Sequence, residues 1–289
     1  MRIAVLGPKG TYSEKAARAY AARLGNNEPE LIYTTIEKSL HMVQSRMADT
    51  GVVPLENLVD GIIGATLDAL IEYQDFVKVA DEVNIPIRHT LAAAAPLPAG
   101  SIKVVYSHAS ALNQCSRRLG ELAPQAELVP VASTAEAAAL VRRNGDSRSA
   151  AVCSVEAVRE NTLVVISREI DDYPNNLTRF VACSLTDSPA SGDDRTLMAV
   201  RFGQDRPGLL HWVTGELAKR DVNLTFVQSR PYKYAPREYI LVFEMVGHKT
   251  DPHVEETLRS IDKRVLENFG WKKILGSFPK RGAEPGESR

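Results

Sequence analysis

Phe76-Val77-Lys78-Val79-Ala80-Asp81-Glu82-Val83-Asn84-Ile85-Pro86-Ile87-Arg88-His89-Thr90-Leu91-Ala92-Ala93-Ala94-Ala95 is where the rhythm of the chain changes. Before it, short apolar runs alternate with helical patterns. Ile3–Leu6, Leu31–Tyr33 and Gly51–Pro54 read as strands; Tyr12–Leu24, Ile36–Met47 and Gly61–Tyr73 read as helices. After it the alternation resumes, with strands Val104–Tyr106, Leu128–Val131 and Ala150–Cys153 around helices Ala109–Leu122 and Thr134–Arg143. Such alternation predicts an α/β fold with parallel sheets covered on both faces. Within the quoted stretch, two strand-like runs, Val77–Val83 and Ile87–Ala94, follow each other with no helix between them. They read as the chain crossing from one lobe to another, and Leu163–Ile166 and Thr178–Ser184 read as its return. The expectation is a pair of lobes, 1–76 plus 163–184 and 77–162, facing each other across a cleft. Ligands of open α/β sheets bind at the C-terminal ends of strands, and an interlobe cleft gathers several of those ends.

A polar segment rich in Pro, Gly and Ser, Leu185–Asp194, reads as a linker. Beyond it come strand Arg195–Phe202, helix Pro207–Arg220, strands Val222–Arg230 and Glu238–Val246, helix Pro252–Asn268 and strand Trp271–Ser277. This βαββαβ order is the ferredoxin-like plan. The second domain is expected over 195–280, with 281–289 as a disordered tail.

The whole chain excludes several function classes. Among its 289 residues Lys plus Arg number 35 and Asp plus Glu 36. No broad field attracts nucleic acid or anionic lipid, so a site for an anion must be local. The N-terminus enters a strand at once with no signal-peptide core, and no apolar run reaches the length of a membrane span. The 6 histidines show no metal-ligand spacing. The 3 cysteines (Cys115, Cys153, Cys183) are odd in number and far apart. They read as reduced, partly buried thiols, and the expected location is cytoplasmic.

Five segments could carry chemistry. Gly7-Pro8-Lys9-Gly10-Thr11-Tyr12-Ser13 follows the first strand and opens a helix. It is either a tight turn capped by Thr11 or Ser13, or an anion site at a helix N-terminus. Glu56 and Asn57 follow a buried strand and are turn formers or site residues. Ser107 and His108 precede a helix on which Gln114 lies two turns in, so Ser107 is a cap or a cleft residue. Ser133-Thr134-Ala135-Glu136 fits a capping box. Thr178-Arg179-Phe180 puts a hydroxyl and a fixed cation at a strand entrance, which suits a small anion that must lose an oxygen.

In this order, the segments resemble the prephenate dehydratase family. The resemblance runs through Gly7-Pro8-x-Gly10-Thr11-Tyr12-Ser13-Glu14, Pro54-Leu55-Glu56-Asn57 with Thr66-Leu67-Asp68, Ser107-His108 with Gln114-Cys115, Ser133-Thr134-Ala135-Glu136 and Asn176-Leu177-Thr178-Arg179-Phe180. The second domain resembles the family's regulatory ACT domain through Arg206-Pro207-Gly208-Leu209-Leu210, Val222-Asn223-Leu224-Thr225 and Gln228-Ser229-Arg230-Pro231. The first strand begins at residue 2, so the chain is expected to be monofunctional, without the mutase domain fused upstream in some relatives. Two positions depart from the family pattern. Leu58 stands where a serine is usual, and Gln228 where a glutamate is usual.

The resemblance implies a two-lobed catalytic domain like that of periplasmic binding proteins, followed by the ACT domain. It implies prephenate as substrate, with no cofactor and no metal. Thr178 is the implied donor to the departing hydroxide, and Arg179 either pairs with a substrate carboxylate or fixes the loop. Thr11, Glu56, Asn57, Ser107, Gln114, Ser133 and Thr134 are implied to line the cleft. Phe180 is grouped with them, although core packing is the plainer reading of its type. The ACT domain implies phenylalanine as effector, bound at a subunit interface of a homodimer or homotetramer. Gly208, Leu209, Leu210, Asn223, Leu224, Gln228, Ser229 and Arg230 are the implied contacts. Three rival readings stand beside this one: a non-aromatising prephenate decarboxylase, an arogenate dehydratase, and an amino-acid sensor that binds without turnover.

Overall fold

A computed structural model describes residues 1–73, 75–204 and 206–283. The first sheet has the order β2-β1-β3-β11-β5. Its strands are β1 (Arg2–Leu6), β2 (Glu30–Thr34), β3 (Thr50–Asn57), β5 (Lys78–Pro86) and β11 (Leu177–Ser184), with the two-residue β4 (Gly61–Ile62) paired to β3. Helices α1 (Tyr12–Arg23), α2 (Ile36–Gln44) and α3 (Gly64–Tyr73) join its early strands. The second sheet runs β10-β6-β9-β7-β8. It comprises β6 (Thr90–Ala93), β7 (Val104–Ser107), β8 (Glu127–Pro130), β9 (Ser149–Cys153) and β10 (Val164–Ser167). Around it lie α4 (Ala109–Gln114), α5 (Ser116–Leu122), α6 (Thr134–Asn144) and α7 (Val155–Glu160).

Both sheets are mixed, not parallel throughout. β1 runs parallel to β2 and β3, but β11 lies antiparallel between β3 and β5. In the second sheet β7 is parallel to β8 and β9, whereas β6 opposes both β9 and β10. The antiparallel strands are those that the quoted stretch and the return segments supply. The lobe boundaries move accordingly. β5 stays in the first lobe and β10 in the second, so the crossings are the short segments 87–89 and 168–176. The run Val77–Val83 cannot leave the first lobe because its backbone is satisfied along β11. The two crossings bind each other: Ile87 N–H donates to the Asn176 carbonyl at 2.9 Å and Ile170 N–H to that of His89 at 3.1 Å.

Three local readings also change. The helix expected over 61–73 starts at Gly64, because Gly61 and Ile62 pair with β3. The helix expected over 109–122 breaks at Cys115, whose φ of −117° and ψ of 9° leave the α region. Helix α7 was not foreseen in the sequence at all.

The third sheet, β13-β14-β12-β15, has the ferredoxin-like strand order. It contains β12 (Asp194–Arg201), β13 (Leu224–Pro231), β14 (Tyr239–Val246) and β15 (Trp271–Pro279), with α8 (Leu209–Ala218) and α9 (Pro252–Glu267) on one face. Residues alternate between its faces with period two. Met198, Val200, Phe243 and Met245 pack on α8 and α9. Leu197, Ala199, Ile240, Val242, Leu275 and Phe278 instead join Leu40, Leu67, Leu70 and Val181 of the first lobe in one continuous core. Burying a Leu or Phe of that face contributes roughly 1.5–3 kcal/mol, so the second domain is fastened rather than tethered. The tail expected to be disordered begins in order. Arg281 donates from its backbone to Glu82 (2.7 Å) and from Nε to Asp81 (2.9 Å), and Ala283 bridges to Asn84. Residues 284–289 of that expected tail lie outside the described residues.

β15 meets β5 so closely that a side chain at Gly276 has no room: its Cβ would lie 2.1 Å from the Val79 carbonyl oxygen. Gly276→Ala is expected to destabilise the protein by about 2–3 kcal/mol through backbone displacement, read as a lowered urea midpoint. An unchanged midpoint would show that the two domains can separate at that contact without cost.

Candidate active site

The two lobes enclose a cavity of about 380 Å³. The first lobe contributes Gly7, Thr11, Asn57, Asp60 and Thr178; the second contributes His108, Ser110, Gln114, Ser133 and Thr134. Its apolar part includes Leu6, Pro54, Ile63 and Ile87. Among the described lining residues there is no Lys or Arg. An anion here is favoured instead by helix ends, where first-turn N–H groups lack intrahelical partners and the dipole is positive.

Two such ends are built by side-chain caps. Thr11 accepts from the Glu14 N–H at 3.4 Å and donates to the Pro8 carbonyl at 3.0 Å, so its hydroxyl is committed to starting α1. Glu14 completes the turn by accepting from Gly10 N–H at 2.7 Å. Ser133 accepts from Glu136 N–H at 3.0 Å and starts α6, while Glu136 accepts from Ala132 N–H at 3.1 Å. Both motifs therefore cap helices whose N-terminal ends meet the cleft.

Thr178 enters β11 at the mouth of this cavity, only 8% exposed. Asn57 Nδ2 donates to its Oγ1 at 2.9 Å. The Asn57 amide cannot turn round, because its Oδ1 already accepts from the Val59 and Asp60 N–H groups at 2.9 and 3.0 Å. The Thr178 oxygen thus receives a hydrogen bond from a fixed donor, which leaves its own proton available to an acceptor in the cleft. Gln114 is held as firmly. Its Oε1 accepts from Asn176 Nδ2 at 2.9 Å and faces His89 Nε2 at 3.1 Å, and its Nε2 reaches across the cleft to Asp60 at 2.8 Å. Ser110 donates to the same Asp60 carboxylate.

The family model described as prephenate dehydratase matches residues 3–187, and the one described as ACT domain matches residues 199–263. A bifunctional chorismate mutase/prephenate dehydratase of Aquifex aeolicus is 34% identical over 97% of this chain and 74% of its own length. A prephenate dehydratase of Amycolatopsis methanolica is 33% identical over 96% of this chain and 88% of its own. The crystal structure of a prephenate dehydratase from Arthrobacter aurescens in complex with L-Phe is similar with a TM-score of 0.88, at 30% identity, covering 99% of this chain and 92% of that one.

The chain belongs to the prephenate dehydratase family. Its two lobes are the family's catalytic fold, like that of periplasmic binding proteins, and the third sheet is its ACT domain.

Within that family fold, Thr11, Asn57, Gln114, Ser133, Thr134 and Thr178 all come together at the cleft. Four other expected site residues do not. Arg179 points away from the cavity, since neighbouring side chains on a strand leave opposite faces. It is paired with Glu82 at 2.7 Å and with Glu244 of the ACT sheet. Burial opposes its charge, but Glu244 and Glu82 outweigh that and hold its pKa above the ordinary value. Phe180 is buried among Ile3, Val5 and Val83, beyond a register irregularity that follows Arg179. Glu56 sits in β3 between Arg179 of β11 and Ile62 of β4, one residue off the face that carries Asn57. Ser107 is wholly buried and donates to the Val152 carbonyl. His108, not Ser107, caps α4, accepting at Nδ1 from Ser110 N–H at 3.3 Å. Leu58 is 66% exposed and is not part of the cavity, so this departure from the family pattern leaves the cleft untouched.

The sequence did not single out Asp60, Ser110 or His89. All three line the cavity, and only the fold brings residues so distant in the chain together. His89, Cys115 and Asp171 also gather behind the cleft, with one ligand atom from each within 4.8 Å of the others. Burial pushes the His89 pKa down and that of Asp171 up. The three cysteines are free and fully buried rather than partly so, and burial raises each thiol, Cys153 to about 12.

In the ACT domain, Gly208, Leu209, Leu210 and Ser229 line a cavity of about 300 Å³ together with Arg206, Tyr239 and Leu241. Gly208 opens α8 with φ of 89°, a left-handed conformation that glycine adopts without strain. The other four expected effector residues lie elsewhere. Arg230 makes a bidentate pair with Asp68 of α3, with both contacts at 2.9 Å. Asn223 is exposed, Leu224 packs against the ACT core, and Gln228 donates to the Ser229 carbonyl at 3.0 Å.

Glu14 makes the cleft sensitive to acid. Burial opposes its ionisation, yet the Gly10 N–H and Arg18 outweigh burial and hold its pKa below the ordinary carboxylate value. A lowered folded pKa gives stability that is present above the unfolded pKa and is lost as pH falls through the folded one. Glu14→Gln is therefore expected to lower the thermal midpoint at pH 7 and to show a smaller deficit at pH 3. A deficit of equal size at both pH values would refute the charge-based role.

Proposed function

We propose that the protein converts prephenate to phenylpyruvate, carbon dioxide and water in phenylalanine biosynthesis, and that phenylalanine restrains it through the ACT domain. Family membership supports the reaction, and the Asn57–Thr178 arrangement supports the roles of the residues. Prephenate carries two carboxylates and a ring hydroxyl. The C–C bond that joins the ring to its own carboxylate breaks to release carbon dioxide, its electron pair enters the ring, and the C–O bond breaks to expel hydroxide. Aromatisation drives the change, so the protein must chiefly assist a poor leaving group. Thr178 aims a proton at the departing oxygen while Asn57 supports the oxygen that gives it up. A threonine hydroxyl is a weak acid, and it serves as a donor only where the surrounding field favours charge on the leaving oxygen. The N-terminal ends of α1 and α6 provide that field and hold the substrate's carboxylates. The apolar wall of Ile63, Ile87 and Pro54 gives the ring a dry surface.

We take the ACT cavity beside Gly208 and Ser229 as the seat for phenylalanine; the Arthrobacter relative forms a complex with L-Phe. Leu210, Val227 and Tyr239 are 45%, 48% and 54% exposed near that cavity, a pattern that suits a homodimer or homotetramer joined there. A cytoplasmic location accords with three buried free thiols. No helix among the described residues is long and apolar enough to cross a membrane.

One assay separates the reaction from its rivals. Pure protein incubated with prephenate is expected to give phenylpyruvate; a dihydroaromatic keto acid would mean decarboxylation alone, and no product would mean a sensor. Arogenate turned over much faster than prephenate would reassign the substrate. Leu58, outside the cleft, lends no support to the decarboxylase reading. Thr178→Ala is expected to lower kcat about 100-fold with an unchanged circular dichroism spectrum, and near-normal turnover would remove Thr178 from the chemistry. Titration calorimetry is expected to detect phenylalanine binding, and absence of heat at millimolar ligand would reject the regulatory role.

A further inference from the structure

Arg179 has a part to play that its displacement from the cleft makes visible. Its side chain is 15% exposed and wedged between the first lobe and the regulatory sheet, with Nε on Glu82 and Nη2 on Glu244. Each of those carboxylates is anchored in turn. Glu244 accepts from the Thr225 hydroxyl on β13 at 2.9 Å, and Glu82 accepts from Arg281 N–H at 2.7 Å. The guanidinium also lies over the Phe278 ring, 5.7 Å from its centre. Strands β13 and β14, which supply Thr225 and Glu244, also form the wall of the ACT cavity through Ser229, Tyr239 and Leu241. Arg179 is next in the chain to Thr178, and register irregularities follow Arg179 on β11 and flank Thr225 on β13.

From this chain of contacts we propose that Arg179 is a positioning residue through which the ACT sheet sets the placement of Thr178. A ligand seated against β13 and β14 moves Glu244; Arg179 follows its partner, and the strand carrying Thr178 shifts with it. The proposal rests on the functional reading above and adds the route by which regulation reaches the cleft. A mere domain fastener would tie the same groups together but would not transmit occupancy of the ACT cavity to turnover.

The test compares the full-length protein with Glu244→Gln, which keeps the shape of the contact but removes its charge. Prephenate turnover is measured with and without saturating phenylalanine, and phenylalanine binding is followed by calorimetry. Expected for Glu244→Gln are uninhibited kcat within about threefold of wild type, retained phenylalanine binding, and inhibition weakened about fivefold or more. Glu82→Gln removes the partner inside the lobe while leaving Arg179 on Glu244, and is expected to keep its inhibition. Glu244→Gln inhibited as strongly as wild type would overturn the coupling, as would equal loss of inhibition in both variants. If Glu244→Gln gives no cooperative thermal transition, Thr225→Val, which frees the Glu244 carboxylate from its orienting hydroxyl, is read in the same assay; an unchanged response there overturns the coupling too. Wild-type protein that turns over no prephenate overturns the functional reading instead, and wild-type turnover untouched by phenylalanine overturns the regulatory one.

Discussion

Strand β11 constrains everything else in this protein. It lies between β3 and the edge strand β5 of the first lobe's sheet, so its backbone is paired on both sides. Successive side chains on such a strand must leave opposite faces. Thr178 accordingly faces the cleft, while Arg179 faces Glu82 and the ACT sheet. Two adjacent residues thus face two compartments, and neither can exchange places without moving the register of β11.

The cleft handles negative charge without a lysine or arginine among its described lining residues. In the proposed reaction, capped helix ends and oriented amides take that role. The arrangement suits a reaction in which a carboxylate must leave as neutral carbon dioxide. A strong ion pair would stabilise the carboxylate of the ground state, whereas dipoles fixed by the fold can be aimed at the oxygen on which charge develops. The cost lies in the precision required. The Asn57 amide is fixed because its oxygen is held by the turn at Val59 and Asp60, and the Gln114 amide because Asn176 and His89 hold it.

The catalytic and regulatory parts share a hydrophobic core rather than a flexible joint. Leu275 and Phe278 pack with Leu67 and Val181, and Gly276 lets β15 approach Val79 closely. Polar links sit at the rim and through this apolar contact: Arg230 with Asp68, Arg281 with Asp81, Arg179 with Glu244. A packed interface of this kind has few arrangements and changes between them as a unit, which is what regulation from one domain to another needs.

The sequence by itself determined the kinds of element, the ferredoxin-like order of the second domain and the family. Those depend on local periodicity, turn chemistry and motifs a few residues long, which are properties of neighbours in the chain. It also marked Thr178, Asn57, Gln114 and Ser133, because each stands at or beside the end of a strand or helix. Only the tertiary structure decided which way each side chain faces. Arg179, Phe180, Glu56 and Ser107 lie within a residue or so of true cleft groups, yet strand alternation and burial turn them elsewhere. Asp60 and Ser110 were silent because their meaning is a contact across 50 residues of chain. The lobe boundary was likewise settled by pairing: β5 had to stay where β11 could satisfy its hydrogen bonds, and no local pattern records which strand that partner will be.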